Sequence, residues 1–295
     1  MAVGYLWVSD RNLSRLSFFD LGGAFLRSVR FTIISGPSTI MPRRASPGRR
    51  IVSVPYVSVQ SATEMDSLPV VVLDEDAVVR DTLAWQAVGR VAVSVATPPG
   101  DGESIPRTMS VNHPFDRRSL LAHDPHSRWL YLGTWRTDAD DRDDLELLRV
   151  TTAGDTAAFM RLPFGRVAIS RDEVRSYARR ICGGLPESFR SRVSSGELTQ
   201  AFLSQIARPS RTAVDAMVAS EDGTVWLRRT SSTTTSSTQW VGYGPDGRFV
   251  GSVEFPVEYH LMAASGGMLW TVDRDPLGLP TVAGWTYESG EAVGR

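Results

Sequence analysis

Gly223-Thr224-Val225-Trp226-Leu227 is followed by Gly244-Pro245-Asp246-Gly247, and Gly267-Met268-Leu269-Trp270 is followed by Glu288-Ser289-Gly290. In each passage an apolar run carrying an aromatic leads, about twenty residues later, to a Gly-containing turn. Trp226 and Trp270 stand 44 residues apart, and Gly247 and Gly290 stand 43 apart. The same pairing occurs upstream. Gly4-Tyr5-Leu6-Trp7-Val8 leads to Asp20-Leu21-Gly22-Gly23, and Trp129-Leu130-Tyr131-Leu132 leads to Thr152-Ala153-Gly154-Asp155. A repeat of that length, built only of strands, is the period of a β-propeller blade. The expected fold is all-β, one propeller domain over residues 1–295. Propellers carry binding and many chemistries, so this expectation leaves the function open.

Composition narrows the classes. With 295 residues, 42% hydrophobic and 22% charged, the chain is long enough to bury a substantial core. A net charge of −1 and a pI of about 6.4 give no basic footprint for nucleic acid. Every basic residue is Arg, and the only asparagines are Asn12 and Asn112, a bias most simply explained by a GC-rich genome. The single cysteine, Cys182, excludes an intrachain disulfide and a zinc cluster of thiolates. It falls on a helical pattern before Gly183-Gly184, where a packed thiol is expected. No apolar run approaches the roughly 20 residues of a membrane-spanning helix. Met1 is followed almost at once by a strand pattern, without the charged and apolar regions of an export signal.

About five blade units are visible. The first reads as strands at 5–8, 15–19 and 25–34, and Ser35 to Gly48, rich in proline, reads as a loop. The second has Ile51–Val59, Val70–Leu73 and Val78–Trp85, with Ala77 where other units place Gly. Gly89 to Val95 alternates apolar and polar residues, and Pro98 to Gly102 reads as an exposed loop. The third unit has strands at Ser119–Ala122, Trp129–Trp135, Leu145–Val150 and Ala157–Leu162, with a hairpin tip from Thr137 to Asp144. The fourth has Ala216–Ala219, Thr224–Arg228, Gln239–Tyr243 and Arg248–Phe255, with the Ser/Thr run Thr230–Thr238 as a loop. The fifth has His260–Ala263, Met268–Asp273 and Thr281–Thr286.

Residues 170–208 interrupt this pattern. Ser170 and Glu173 form a capping box, and Val174, Tyr177, Ala178 and Ile181 share one helical face before Gly183-Gly184 and Pro186. Ser194 and Glu197 form a second box ahead of Leu198, Phe202 and Ile206, and Pro209 ends that helix. The apolar stripes predict that the two helices pack on the propeller.

Leu6-Trp7-Val8-Ser9-Asp10-Arg11-Asn12-Leu13-Ser14-Arg15-Leu16-Ser17-Phe18-Phe19-Asp20-Leu21-Gly22-Gly23 resembles the NHL-type repeat. Glu221-Asp222-Gly223-Thr224-Val225-Trp226 and Gly244-Pro245-Asp246-Gly247-Arg248 are similar to bacterial six-bladed β-propeller proteins, in which helices also interrupt the sheet before a blade of this kind. The resemblance covers most of residues 4–290 and implies a six-bladed ring. With five units visible and the first opening in mid-pattern, an N-terminal blade is expected to be missing from the chain. The resemblance also implies an exported or periplasmic parent protein. Its motifs are turns and strands and bring no catalytic residue with them.

Chemistry-bearing residues are few. His123-Asp124-Pro125-His126 has the look of a metal pair, yet it aligns with the turn Ser220-Glu221-Asp222-Gly223, and Asp-Pro is ordinary turn chemistry. Asp138 to Asp144 offers oxygen ligands for calcium but lacks the Gly and distal Glu of an EF-hand, and reads as a solvated hairpin tip. Arg43-Arg44 and Arg49-Arg50 flank what reads as an exposed loop. Asp10 with Arg11, and Asp273 with Arg274, each end an aromatic-bearing strand. Equivalent places in two blades would put these four residues at one rim of the ring, as candidate ligand-binding residues, although turn capping and Arg–Asp pairing explain the same residues without any ligand and are the favoured reading. There is no phosphate loop, nucleophile elbow, metalloprotease motif or cofactor motif.

The leading expectation is a non-enzymatic scaffold that binds a protein or small ligand at its rim or channel mouth, with no cofactor and no metal. The alternative is a calcium-dependent lactonase or esterase of the six-bladed type, for which Asn12 and Asn112 offer a poor supply of the Asn ligands such sites use.

Overall fold

A five-residue turn recurs along the chain, at Asp20–Ala24, Thr151–Asp155, Ser220–Thr224, Gly244–Arg248 and Asp275–Leu279. In each, the first residue's N–H donates to the carbonyl of the fifth, and the fourth residue's N–H donates back to the carbonyl of the first. The fourth residue is always Gly with φ between 79° and 97°, a left-handed conformation that costs glycine nothing and an L side chain about 1 kcal/mol or more. Carboxylates tighten these turns from within. Asp20 Oδ1 accepts the Ala24 N–H, Asp246 Oδ1 that of Arg248, and Asp275 Oδ1 those of Leu277 and Leu279. The spacing of Asp and Gly in the sequence is thus the spacing of hairpins.

The computed structural model describes residues 5–10, 15–30, 39–46, 50–56, 67–74, 76, 78–87, 92–97, 107–112, 119–124, 128–137, 143–151, 154–185, 187–190, 192–205, 210–230, 236–275 and 277–287. The first sheet holds β1 (Tyr5–Asp10), β2 (Arg15–Asp20) and β3 (Phe25–Arg30). The second holds β4 (Thr39–Ser46), β5 (Arg50–Tyr56), β6 (Ser67–Leu73) and β7 (Val79–Ala87). A two-stranded hairpin follows, β8 (Ala92–Thr97) with β9 (Arg107–Asn112). The next four-stranded sheet is β10 (Leu120–His123), β11 (Trp129–Thr137), β12 (Asp143–Thr151) and β13 (Thr156–Phe164). After a ribbon of β14 (Val167–Ala168) and β15 (Ser210–Arg211) comes the sheet β16 (Val214–Ala219), β17 (Val225–Arg229), β18 (Ser237–Tyr243) and β19 (Phe249–Pro256). The last sheet is β20 (His260–Ser265), β21 (Met268–Arg274) and β22 (Pro280–Thr286). Within each sheet, strands adjacent in sequence pair antiparallel.

These sheets are the blades of a β-propeller, and from the β4–β7 sheet onward successive blades pack face to face. Val70 of β6 is buried in one cluster with Leu130, Leu132 and Val150 of the β10–β13 sheet. That sheet places Tyr131, Trp135, Leu145 and Phe164 in a cluster with Val214, Met217, Leu227 and Val241 of the next. Trp226, Trp240 and Phe255 then join Leu261 and Leu269 of the last sheet. The Trp226 side chain is fully buried, so the aromatic that marks each unit in the sequence is, in this unit, an inter-blade contact. Ser220, next after β16, forms a parallel bridge with Ala264 of β20. A parallel contact between strands that open successive antiparallel sheets is what a radial arrangement around one axis requires.

Stretches read from the sequence as loop or hairpin tip are partly strand. Ser35 to Gly48 was expected to be a loop, but Thr39–Ser46 is a strand at the edge of its sheet. Its pairing with β5 slips between Pro42 and Arg44, and an edge position with a bulge is where a strand accommodates proline. Thr137 to Asp144 is also shorter as a tip than expected, because β11 runs through Thr137 and β12 begins at Asp143.

The helical excursion spans α1 (Arg171–Gly184), the single turn α2 (Glu187–Arg190) and α3 (Ser195–Gln205). Both capping boxes form. Ser170 Oγ accepts the Glu173 N–H while Glu173 accepts the Ser170 N–H, and Ser194 and Glu197 repeat the exchange. α1 continues through Gly183-Gly184 and stops at Leu185, whose extended backbone is that of a residue preceding proline. Val174, Ala178, Leu198 and Phe202 are buried together with Val93 and Val95 of β8. The helices therefore pack on the β8–β9 hairpin.

Candidate functional site

The strands that open three successive sheets, β10, β16 and β20, converge at the axis. Between them lies a cavity of about 290 Å³ lined by Leu121, His123, Met217, Val218, Leu261 and Met262, with Ala122 and Ala219. Met217 and Leu261 are buried, whereas Met262 is 56% exposed and stands at the opening. Two flexible thioether side chains on facing strands make a wall that adapts to the shape of an apolar group. His123, at the end of β10, is buried and contributes the polar side chain of this lining.

The residues singled out by sequence occupy other places. Asp10 ends β1, 3.9 Å from Arg15 across the hairpin, and Arg11 lies outside the described residues. Asp273 Oδ1 accepts the N–H of Arg274, whose Nη1 donates to the Gly278 carbonyl 2.9 Å away. The described members of the rim set are thus engaged within their own hairpins. Asp124 is fully buried and accepts the Trp129 N–H at 3.1 Å, with Arg128 at 3.7 Å, which makes it the turn residue that the sequence predicts; His126 lies outside the described residues.

Of the acidic run, Asp138 to Arg142 lies outside the described residues. Asp143 corrects the expectation of a solvated tip, being buried and ion-paired with Arg166 at 3.2 Å. It stands opposite Phe164 in the ladder between β12 and β13. Asp144 takes Nε and a terminal nitrogen of Arg161, each at 2.6 Å. Arg43 and Arg44 fall in strand β4 and Arg50 opens β5, while Arg49 lies outside the described residues. Among the described residues, no three His, Cys, Asp or Glu side chains gather as a metal-binding group.

Ionisation follows burial and pairing. Burial, helped by Glu197, pushes the Cys182 thiol up, and its Sγ donates to the Val193 carbonyl at 3.7 Å. A thiol held in that state is a poor nucleophile and a good packing group. Burial also pushes Glu173 upward, but the Ser170 N–H and the Arg211 guanidinium, 3.0 Å away, more than offset it and leave this carboxyl below its usual range.

Sequence reading missed the channel lining. A signal was present, since Ala216–Ala219 immediately precedes the Glu221-Asp222-Gly223 turn and so is the strand that opens its unit. It also missed Arg171, Arg175 and Arg179, one helical turn apart, which line a second cavity between α1 and α3.

The chain matches no protein-family profile and no curated protein. Among solved structures it is similar to a DUF4221 family member from Bacteroides vulgatus, with 8% identity and a TM-score of 0.37 over 96% of this chain and 90% of that one. It is also similar to prolyl oligopeptidase B from Galerina marginata, with 10% identity and a TM-score of 0.32 over 97% of this chain and 38% of that one. The β-propeller domain of the Trilobed protease from Pyrococcus furiosus gives 12% identity and a TM-score of 0.30, covering 96% and 91% of the two chains. Similarity at this level carries no activity or substrate across to this chain.

Proposed function

We propose that this protein is a non-enzymatic binding scaffold that takes an apolar group, from a small ligand or a partner protein, into the mouth of its central channel. The observation that carries the reading is the cavity of about 290 Å³ where β10, β16 and β20 meet, walled by Met217, Met262, Leu121 and Leu261. That volume lies near the lower end for ligand pockets, so the occupant is a single side chain or a small molecule. The described rim residues Asp273 and Arg274 bond within one hairpin, which favours the channel mouth over the rim. A ring of six blades, as the NHL resemblance implies, belongs to the same proposal.

A ligand that binds only the folded state raises its stability by RT ln(1 + [L]/Kd). Small apolar probes such as benzene, indole and short-chain alcohols should raise the melting temperature of the wild type. Met262→Asp places a charge at the open side of the cavity, where exposure of the native side chain allows it to fold. Loss of the probe-dependent shift in this variant supports the reading. Equal shifts in both proteins, or no shift with any probe, sink it.

A further inference from the structure

We propose that the groove between α1 and α3 binds an extended acidic segment of a partner protein. Arg171, Arg175 and Arg179 line one wall of a cavity of about 580 Å³, and Ser195, Thr199 and Gln200 line the opposite wall. All three arginines are exposed. Arg175 meets Asp172 of its own helix at 2.9 Å, whereas among the described residues Arg171 and Arg179 form no ion pair. The acid nearest in sequence on the facing helix, Glu197, is turned back onto Ser194, both of whose donors it accepts at 2.8 Å. The groove is therefore a cationic stripe with little acidic compensation, on a protein whose formal net charge is −1.

Spacing selects the ligand. Arginines four residues apart on a helix recur every ~6 Å. In an extended peptide, side chains on one face recur every ~6.6 Å. Carboxylates at alternate positions of an extended strand therefore fall in step with the three guanidiniums, each of which suits a bidentate carboxylate. Thr199, Gln200 and Ser204 line the other side, where the Thr199 and Ser204 hydroxyls donate to carbonyls of their own helix at 2.7 and 3.2 Å. The absence of a wider basic surface, shown by the pI of about 6.4, favours a short acidic peptide over a nucleic acid, whose phosphates would extend well past three arginines.

The test uses the full chain and a fluorescent peptide with Glu at alternate positions, followed by anisotropy. Its Gln counterpart and a single-stranded oligonucleotide serve as comparison probes. The Glu peptide should bind, the Gln peptide should bind at least tenfold more weakly, and affinity should fall as salt shortens the Debye length. The Arg171→Glu/Arg179→Glu variant should lose binding while its melting temperature stays near that of the wild type. Failure of the Glu peptide to bind, equal binding of the Gln peptide, or tighter binding of the oligonucleotide would each overturn the proposal. The two peptides compared on the wild type alone decide the matter if the variant does not fold. This outcome is independent of the channel mouth, which the probes above address.

Discussion

The side-chain amide of Gln205 brackets the backbone of Ser94: its Nε2 donates to the Ser94 carbonyl at 2.8 Å, and its Oε1 accepts the Ser94 N–H at 3.1 Å. Among the described residues β8 pairs only with β9, so one of its edges has no partner strand there. The amide of Gln205, at the end of α3, supplies the donor and acceptor that another strand would.

Gln205→Ala should therefore destabilise the helical pair and the hairpin together. These bonds are solvent-accessible, so the expected loss is about 1–2 kcal/mol. Amide exchange at Ser94 should accelerate in the variant, and unchanged exchange would show that the bracket is not formed in solution.

Gly242 lies opposite Trp226 in the ladder between β17 and β18. A Cβ added there would come within 3.1–3.2 Å of three atoms of the fully buried indole. Gly242→Ala should cost about 1–3 kcal/mol through overpacking. Gly251→Ala on the adjacent strand, with no heavy atom within 4 Å, is the control and should change stability by less than about 0.5 kcal/mol. Denaturant midpoints of the two variants distinguish the cases.

Arg166 neutralises Asp143, whose side chain is 2% exposed. Truncating it leaves a buried carboxylate without this cation, which costs about 3–5 kcal/mol where burial is complete. Arg166→Ala should approach the lower end, and Asp143→Asn in the same background should recover part of it. A double-mutant cycle in urea measures the coupling.

Glu173 predicts a component of acid sensitivity. Its carboxyl sits below the usual range in the folded chain, so its ionised form stabilises the fold at neutral pH. That contribution is present above the unfolded value, about 4.3, and is lost as pH falls through the lower folded value. Stability measured from pH 6 down to about pH 3 should drop less steeply in Glu173→Gln than in the wild type. Equal slopes would mean that the pairing with Arg211 leaves no trace in solution.

The fold was legible where local chemistry and long-range packing agree. Asp20 to Gly23 and Gly244 to Gly247 announce hairpins because only Gly suits the fourth turn position, and the Trp226 run announces a strand because its indole is needed between sheets. Ser170 and Ser194 predicted helix starts for the same kind of reason, since each cap is made by residues three apart. Thr39–Ser46 was hidden because Pro42 speaks against a strand and only the edge position and bulge, both tertiary facts, permit it. The channel lining was hidden more deeply. Met217 and Met262 are ordinary apolar strand residues, and what distinguishes them is that β16 and β20 meet at the axis.

The ribbon that opens and closes the helical excursion has one further consequence. Val167 pairs with Arg211 and Ala168 with Ser210, so the chain leaves the ring and returns to it at the same point. Arg211 then reaches Glu173 at the first turn of α1 and ties that junction shut. The helices and the β8–β9 hairpin share one core although they are separate in sequence, and neither can be removed without uncovering the other's apolar face. In inheritance they are bound to travel as a pair: a lineage that loses the helices is left with Val93 and Val95 facing water, so loss of one segment selects for loss or rebuilding of the other.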